Sequence, residues 1–218
     1  KLTIPAENPP HEIVLDFDMP RPKAGKLTVT VVDGDGRPAA GAVLDGAYQA
    51  MSSYFSPIRT NEQGTVQLVH SLDPLVLSAS TPDRSQAAVV RLDAEATEAR
   101  IVLKPTATAS GRMVDPEGRP VAGRELTYGV RVNVSTKRGG PFGYHFGGRT
   151  TTDADGGFRL PGLVVGEKYE IQTEDDNRYV SAKTTPLAEG PGLLALGDVL
   201  LDLTPPKPYV PPTPTQVT

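Results

Sequence analysis

Val114-Asp115-Pro116-Glu117-Gly118-Arg119-Pro120-Val121-Ala122-Gly123 repeats an earlier run of the same chain, Val32-Asp33-Gly34-Asp35-Gly36-Arg37-Pro38-Ala39-Ala40-Gly41. A second pair follows in the same order. Thr60-Asn61-Glu62-Gln63-Gly64 returns as Thr152-Asp153-Ala154-Asp155-Gly156, and each copy leads into a short strand ending at Leu68 or Leu160. Matched sites in matched order imply two tandem copies of one β-rich module. The repeated residues are Gly, Pro, Asp and Asn, which shape turns rather than perform chemistry.

Outward from these turns the apolar residues alternate, the mark of strands with one buried face. In 26–33, Leu27, Val29 and Val31 share a side. Further strands over 42–48, 54–59, 65–70, 75–80, 87–92 and 99–104 complete a first module spanning 25–105. The second module, 106–203, has its clearest strand at 124–135, where Leu126, Tyr128, Val130, Val132 and Val134 alternate with polar residues. Strands are also expected over 149–152, 158–160, 169–173, 179–183 and 198–203, with an inserted loop at 137–148. Gly192-Leu193-Leu194-Ala195-Leu196 is the one place where a short turn of helix is expected. Short strands with turn signals between them give an all-β class, two sandwiches in series.

The ends read differently. Residues 1–24 form a leader that begins Pro-rich and then alternates over 11–17, with Ile13, Leu15 and Phe17 opposite Glu12 and Asp16. Ile13-Val14-Leu15 recurs as Ile101-Val102-Leu103. The stretch is therefore the last strand of a preceding module or a leader strand packed on the first module, the reading preferred here. Residues 204–218 are Pro-rich, a semi-rigid linker leading to further domains of the same polypeptide.

Composition narrows the role. The chain has 218 residues, 22 Gly, 22 Pro and no Cys, with a net charge of −4. Such a balance offers no basic footprint for nucleic acid. No apolar run approaches the roughly 18 residues of a membrane-spanning helix. Without cysteine there are no disulfides, thiol chemistry or thiolate metal sites. The chain starts at Lys1 without an initiator Met, so a missing targeting signal says nothing about compartment.

The second module carries Gly111-Arg112-Met113-Val114-Asp115, Gly118-Arg119-Pro120-Val121-Ala122-Gly123, Thr152-Asp153-Ala154-Asp155-Gly156-Gly157-Phe158-Arg159-Leu160 and Gly162-Leu163-Val164-Val165-Gly166-Glu167-Lys168-Tyr169. These resemble the carboxypeptidase regulatory-like domain, a transthyretin-like (prealbumin-like) seven-stranded β-sandwich with Ig-like architecture. The first module is a degenerate copy: Asn61 stands for Asp153, Val66 for Phe158, and the last element has no clear counterpart. The resemblance implies two tandem prealbumin-like sandwiches, a non-catalytic role and an extracytoplasmic bacterial setting. Phe158 and Leu160 should point inward, with Leu163 and Tyr169 covering the sandwich end. The same stretch is similar to collagen-adhesin B-type modules, which carry a Lys–Asn crosslink. Neither Lys nor Asn occupies the inner positions of the first or last strands here, so no crosslink is expected.

Candidate sites are few. Asp153 and Asp155 look like half of a calcium loop, but the position that should carry a bidentate Glu is Val164. A hairpin turn, with Asp accepting backbone N–H bonds, is the simpler reading. The insertion 137–148 combines five glycines with Phe142, Tyr144, His145 and Phe146. Such aromatics on a loop can stack on a sugar or a partner's side chains, or fold back as a cap. His11, His70 and His145 have no metal-site spacing. No catalytic triad, phosphate loop or cofactor motif stands out. The expectation is a non-catalytic interaction or spacer segment of a larger exported bacterial protein, with a protein or glycan partner. The alternative is a carbohydrate-binding module using the 137–148 aromatics.

Overall fold

The computed structural model describes residues 25–48, 53–70, 74–136, 139–176 and 178–204, so the strand expected over 11–17 and the tail from 205 lie outside the described residues. Every regular element among them is a β-strand. The N-terminal half holds β1 (Gly25–Val32), β2 (Val43–Tyr48), β3 (Ser53–Arg59), β4 (Thr65–His70), β5 (Leu75–Ser80), β6 (Gln86–Leu92), β7 (Glu98–Val102) and β8 (Lys104–Pro105). They form two sheets, in the orders β4-β1-β7 and β3-β2-β5-β6-β8. The C-terminal half holds β9 (Ala107–Val114), β10 (Glu125–Thr136), β11 (Gly139–Thr151), β12 (Gly157–Leu163), β13 (Tyr169–Asp175), β14 (Arg178–Ser181) and β15 (Gly192–Leu200). Its sheets run β12-β9-β15 and β11-β10-β13-β14.

One topology is thus used twice. β1 pairs antiparallel with β4 and parallel with β7, as β9 pairs antiparallel with β12 and parallel with β15. β2 lies antiparallel between β3 and β5, as β10 lies between β11 and β13. Even the register of the parallel pairs agrees: Val31 faces Ile101 and Met113 faces Val199. β8, paired to β6 over two residues, is the extra strand of the first half.

Alternation places the cores. Leu27, Val29 and Val31 are fully buried against Leu44, Leu75 and Leu77 in one cluster. Met113, Leu126, Tyr128, Phe158, Leu160 and Val199 share the other. Burying each large side chain is worth about 1.5–3 kcal/mol. Leu163, at the end of β12, and Tyr169, at the start of β13, are both buried in this second cluster. The Tyr169 hydroxyl stays satisfied there by accepting the Val164 N–H at 2.8 Å. Burial pushes its phenol up to about 12. Tyr128 likewise donates its hydroxyl to the Pro161 carbonyl at 2.7 Å.

The repeated turns share one geometry. Asp33 Oδ1 accepts the N–H groups of Asp35 and Arg37, each at 2.9 Å. Asp115 Oδ1 accepts those of Glu117 and Arg119 at 3.0 and 2.9 Å. In the second pair, Asn61 Oδ1 takes Gln63 and Thr65 at 3.1 and 2.9 Å, and Asp153 Oδ1 takes Asp155 and Gly157 at 3.0 and 2.7 Å. Only a side-chain oxygen is required, which is why Asn can stand for Asp. Each turn ends on a left-handed glycine: Gly36, Gly64, Gly118 or Gly156, with φ of 82°, 69°, 79° and 77°.

The two turns of each half interlock. The Met113 N–H donates to the Gly156 carbonyl at 2.8 Å, while the Met113 carbonyl accepts the Val121 N–H at 2.9 Å. Val31, Gly64 and Ala39 repeat this at 2.8 and 2.9 Å. A Cβ on Gly156 would lie 2.5 Å from the Met113 oxygen, and one on Gly64 2.5 Å from the Val31 oxygen. Buried Thr60 and Thr152 stitch the corner further: their hydroxyls accept the Ala42 and Arg124 N–H groups, each at 2.9 Å.

Two expectations are corrected. Of the run expected as a loop over 137–148, the described part from Gly139 is strand: β11 continues to Thr151 as the antiparallel partner of β10. The long β10 offers it a ladder for the backbone groups on its inner edge, which outweighs the low strand propensity of its glycines. Nor is 192–196 helical. It opens β15, where Gly192–Leu194 pair parallel with Ala107–Ala109. A helical turn that short does not offset its nucleation cost.

A fifth turn joins β5 to β6. Asp83 Oδ1 accepts the Thr81 hydroxyl at 2.6 Å, the Ser85 hydroxyl at 2.9 Å and the Ser85 N–H at 3.0 Å. The Thr81 bond is the largest cause holding its carboxyl at about 2, below the ordinary 3.8. Because folding lowers this pKa, its contribution is complete above 3.8 and lost as pH falls through about 2. Carboxyl-detected NMR titration should place Asp83 near 2, and Thr81→Val should move it toward 3.8; an ordinary value in the parent chain contradicts the geometry.

The glycines predict a graded stability series. Gly118→Ala bears only the left-handed cost of about 1–2 kcal/mol, since nothing lies within 4 Å of the added Cβ. Gly156→Ala adds overpacking of about 1–3 kcal/mol. Denaturant midpoints should fall further for Gly156→Ala than for Gly118→Ala; equal losses would contradict the interlock.

Candidate functional site

The residues singled out from sequence fall in β11 and in the turn that follows it. Phe142, Tyr144 and Phe146 stand in β11 opposite Val134, Val132 and Val130, and His145 stands opposite Arg131. Strand period two puts position 145 on the other side of the sheet from 142, 144 and 146; their side chains lie outside the described residues. Asp153 and Asp155 sit in the β11–β12 turn, where Asp153 Oδ1 is occupied by two backbone N–H groups. Among the described residues no group of three or more His, Asp and Glu side chains could hold a metal ion. His70 is buried at the end of β4, and His11 lies outside the described residues. No helix among the described residues is long and apolar enough to cross a membrane.

A cleft forms instead where two paired strands part. β10 pairs with β13 from Val130↔Tyr169 to Thr127↔Gln172 and no further. Beyond that point side chains replace the ladder. The Thr173 hydroxyl donates to the Glu125 carbonyl at 2.8 Å. Arg124 donates to the Glu174 carbonyl at 3.3 Å and to the Asp175 carboxylate at 3.2 Å. The opening has a volume of about 370 Å³, and its walls include Arg124, Glu125, Thr127, Arg149, Glu174 and Tyr179. Arg149 donates to Glu125 Oε1 at 3.2 Å. Tyr179, opposite Glu174 in the β13–β14 pair, is 73% exposed. Two arginines and two glutamates leave these walls electrically balanced.

Sequence reasoning treated Tyr179 and Arg149 only as strand residues. The available signal was an aromatic in Arg178-Tyr179-Val180-Ser181, a strand otherwise polar on that face. β14 is held firmly: Arg178 donates to the Asp175 carboxylate at 3.2 Å and to the Leu203 carbonyl at 2.6 Å.

A second unforeseen feature links the two halves. Arg84, in the β5–β6 turn, has φ of 60°, the region that the repeated turns give to glycine. A non-glycine residue there costs roughly 1–2 kcal/mol. Its guanidinium lies 5.9 Å over the Tyr128 ring. A Cβ on Gly162 would come within 2.9 Å of the Arg84 Cβ, and one on Gly148 would meet its guanidinium. The Arg84 carbonyl accepts the Thr106 hydroxyl at 2.8 Å, and the Ser85 carbonyl accepts the Thr106 N–H at 3.0 Å. Nearby, both Arg91 terminal nitrogens meet both Glu167 oxygens at 2.8 Å.

No protein-family model matches the chain, and no curated protein matches it. Solved structures that are similar include shaft pilin SpaA from Lactobacillus rhamnosus GG, 13% identical with a TM-score of 0.32, covering 85% of this chain and all of that one (100%). GBS52, the minor pilin of Streptococcus agalactiae, is 16% identical with a TM-score of 0.36 and the same shares, 85% and 100%. The Bacillus anthracis TIE protein is 16% identical with a TM-score of 0.29, covering 82% of this chain and 34% of its own. Likeness of this degree carries no argument about role, and the all-β fold rests on the strands and cores described above.

Proposed function

We propose that this chain is a non-catalytic spacer and interaction segment of a larger exported bacterial protein. Residues 25–105 and 106–203 are its two modules, standing outside the cytoplasm and presenting surfaces to a protein or glycan partner. The observation that carries this reading is the junction. A strained Arg84 reaching Tyr128, together with the bidentate Arg91–Glu167 pair, holds one sandwich against the other. The cation–π contact contributes about 0.5–2 kcal/mol and the part-exposed ion pair about 0.2–1 kcal/mol. Neither drives folding, but both set how freely the modules turn. A spacer needs that stiffness; a reaction does not. A second reading, saccharide binding, is favoured by the exposed Tyr179 in a charge-balanced cleft.

Residual dipolar couplings test the spacer reading in the full chain. One alignment tensor should fit both modules of the parent. Arg84→Gly with Arg91→Ala removes the two arginine side chains from the junction and relieves the strained φ. Two tensors should then be needed, with the unfolding of each module nearly unchanged. A parent chain that already needs two tensors of unequal magnitude contradicts the reading.

A further inference from the structure

The cleft at the parted ends of β10 and β13 is unassigned, and we infer that it is a subsite for a neutral saccharide. This deepens the second reading above and does not depend on the stiffness of the junction. Its volume, about 370 Å³, falls in the range of roughly 300–1,000 Å³ typical of small-molecule sites. Its walls, however, lack the apolar character such sites usually have. A hydrophobic ligand would gain little there and would strand charged groups.

Charge decides between the polar ligands. Arg124, Arg149, Glu125 and Glu174 all line the opening; Arg149 is bonded to Glu125, and Arg124 shares the Asp175 carboxylate with Arg178. An anion would meet the glutamates and a cation the arginines. A polyhydroxyl ligand suits both, because each hydroxyl donates to carboxylate and accepts from guanidinium. Arg149 gives one N–H to Glu125 and retains further guanidinium donors for a ligand oxygen.

The aromatic wall fits the same ligand. Tyr179 offers an apolar ring face and a polar tip, matching the C–H face and hydroxyl rim of a sugar ring. Its strand is fixed before any ligand arrives, through four residue pairs with β13 and the Arg178 contacts to Asp175 and Leu203. Little ordering cost is left to binding. The parted strand ends supply the depth that a flat sheet face lacks.

The experiment is a ¹H–¹⁵N NMR titration of the full chain with four neutral tetrasaccharides, built of α-glucose, β-glucose, mannose and N-acetylglucosamine. At least one should give saturable shifts centred on residues 123–127, 149, 173–174 and 179. Affinity should be on the order of millimolar, as suits a solvent-open site. Tyr179→Ala should weaken it roughly three- to tenfold, and Arg149→Met should weaken it too, without changing thermal unfolding. No saturable shift with any of the four overturns the inference. So do shifts insensitive to Tyr179→Ala, or shifts lost instead in a Phe142→Ala, Tyr144→Ala variant. A saccharide failure leaves the dipolar-coupling result untouched, so the two readings fail separately.

Discussion

A carbonyl set against a glycine governs this molecule. The Val31 and Met113 oxygens each occupy the space where a Cβ of Gly64 or Gly156 would stand. The same two residues donate their N–H groups to those glycines and accept from Ala39 or Val121 in the first turn. One residue of the central strand thereby joins two separate hairpins. The last strand arrives beside it: Leu103 donates to the Val32 carbonyl and Leu201 to the Val114 carbonyl, each at 2.8 Å. Hydrophobic burial drives the sheets together but has no direction. The corner supplies the direction, since a one-residue slip would turn Leu27, Val29 and Val31 outward and break these bonds together.

That corner explains what could be read in advance. Turn residues act locally, so Asp33, Asn61, Asp115 and Asp153 marked their own hairpins, and alternation marked the buried faces of β1 and β10. What stayed hidden depends on partners distant in the chain. β11 is rich in glycine and becomes a strand because β10 extends beside it. β15 has a leucine-rich start without alternation, and its conformation comes from parallel pairing with β9. Arg91 and Glu167 are 76 residues apart, with nothing local to join them. Arg84 ran against the usual rule, a long side chain where glycine is expected. The candidate site was hidden for a similar reason. Its walls exist because β10 and β13 stop pairing at Thr127↔Gln172, and no local pattern announces where a ladder ends.

The architecture separates two kinds of work. Inside each half, buried aliphatic and tyrosine side chains and the glycine corner hold the sheets, and the repeated aspartates are spent on turns. Between the halves, Arg84 and Arg91 hold orientation with modest energies. Their loss should therefore loosen the contact between the halves before it affects whether each half folds. The cleft beside Tyr179 sits on the sheet whose other face packs around Tyr128, the residue Arg84 covers. A partner bound at the cleft would thus rest on a braced sheet.

Native-state hydrogen exchange tests the central claim most directly. If the glycine corner holds each half together, the amides of Val31, Ala39, Met113 and Val121 should open only with global unfolding of their half. They should rank with the core amides of β1 and β9. Exchange of these four through local fluctuations, at the rates of the exposed turn amides of Asp35 and Glu117, would show that the corner is incidental and would contradict the account.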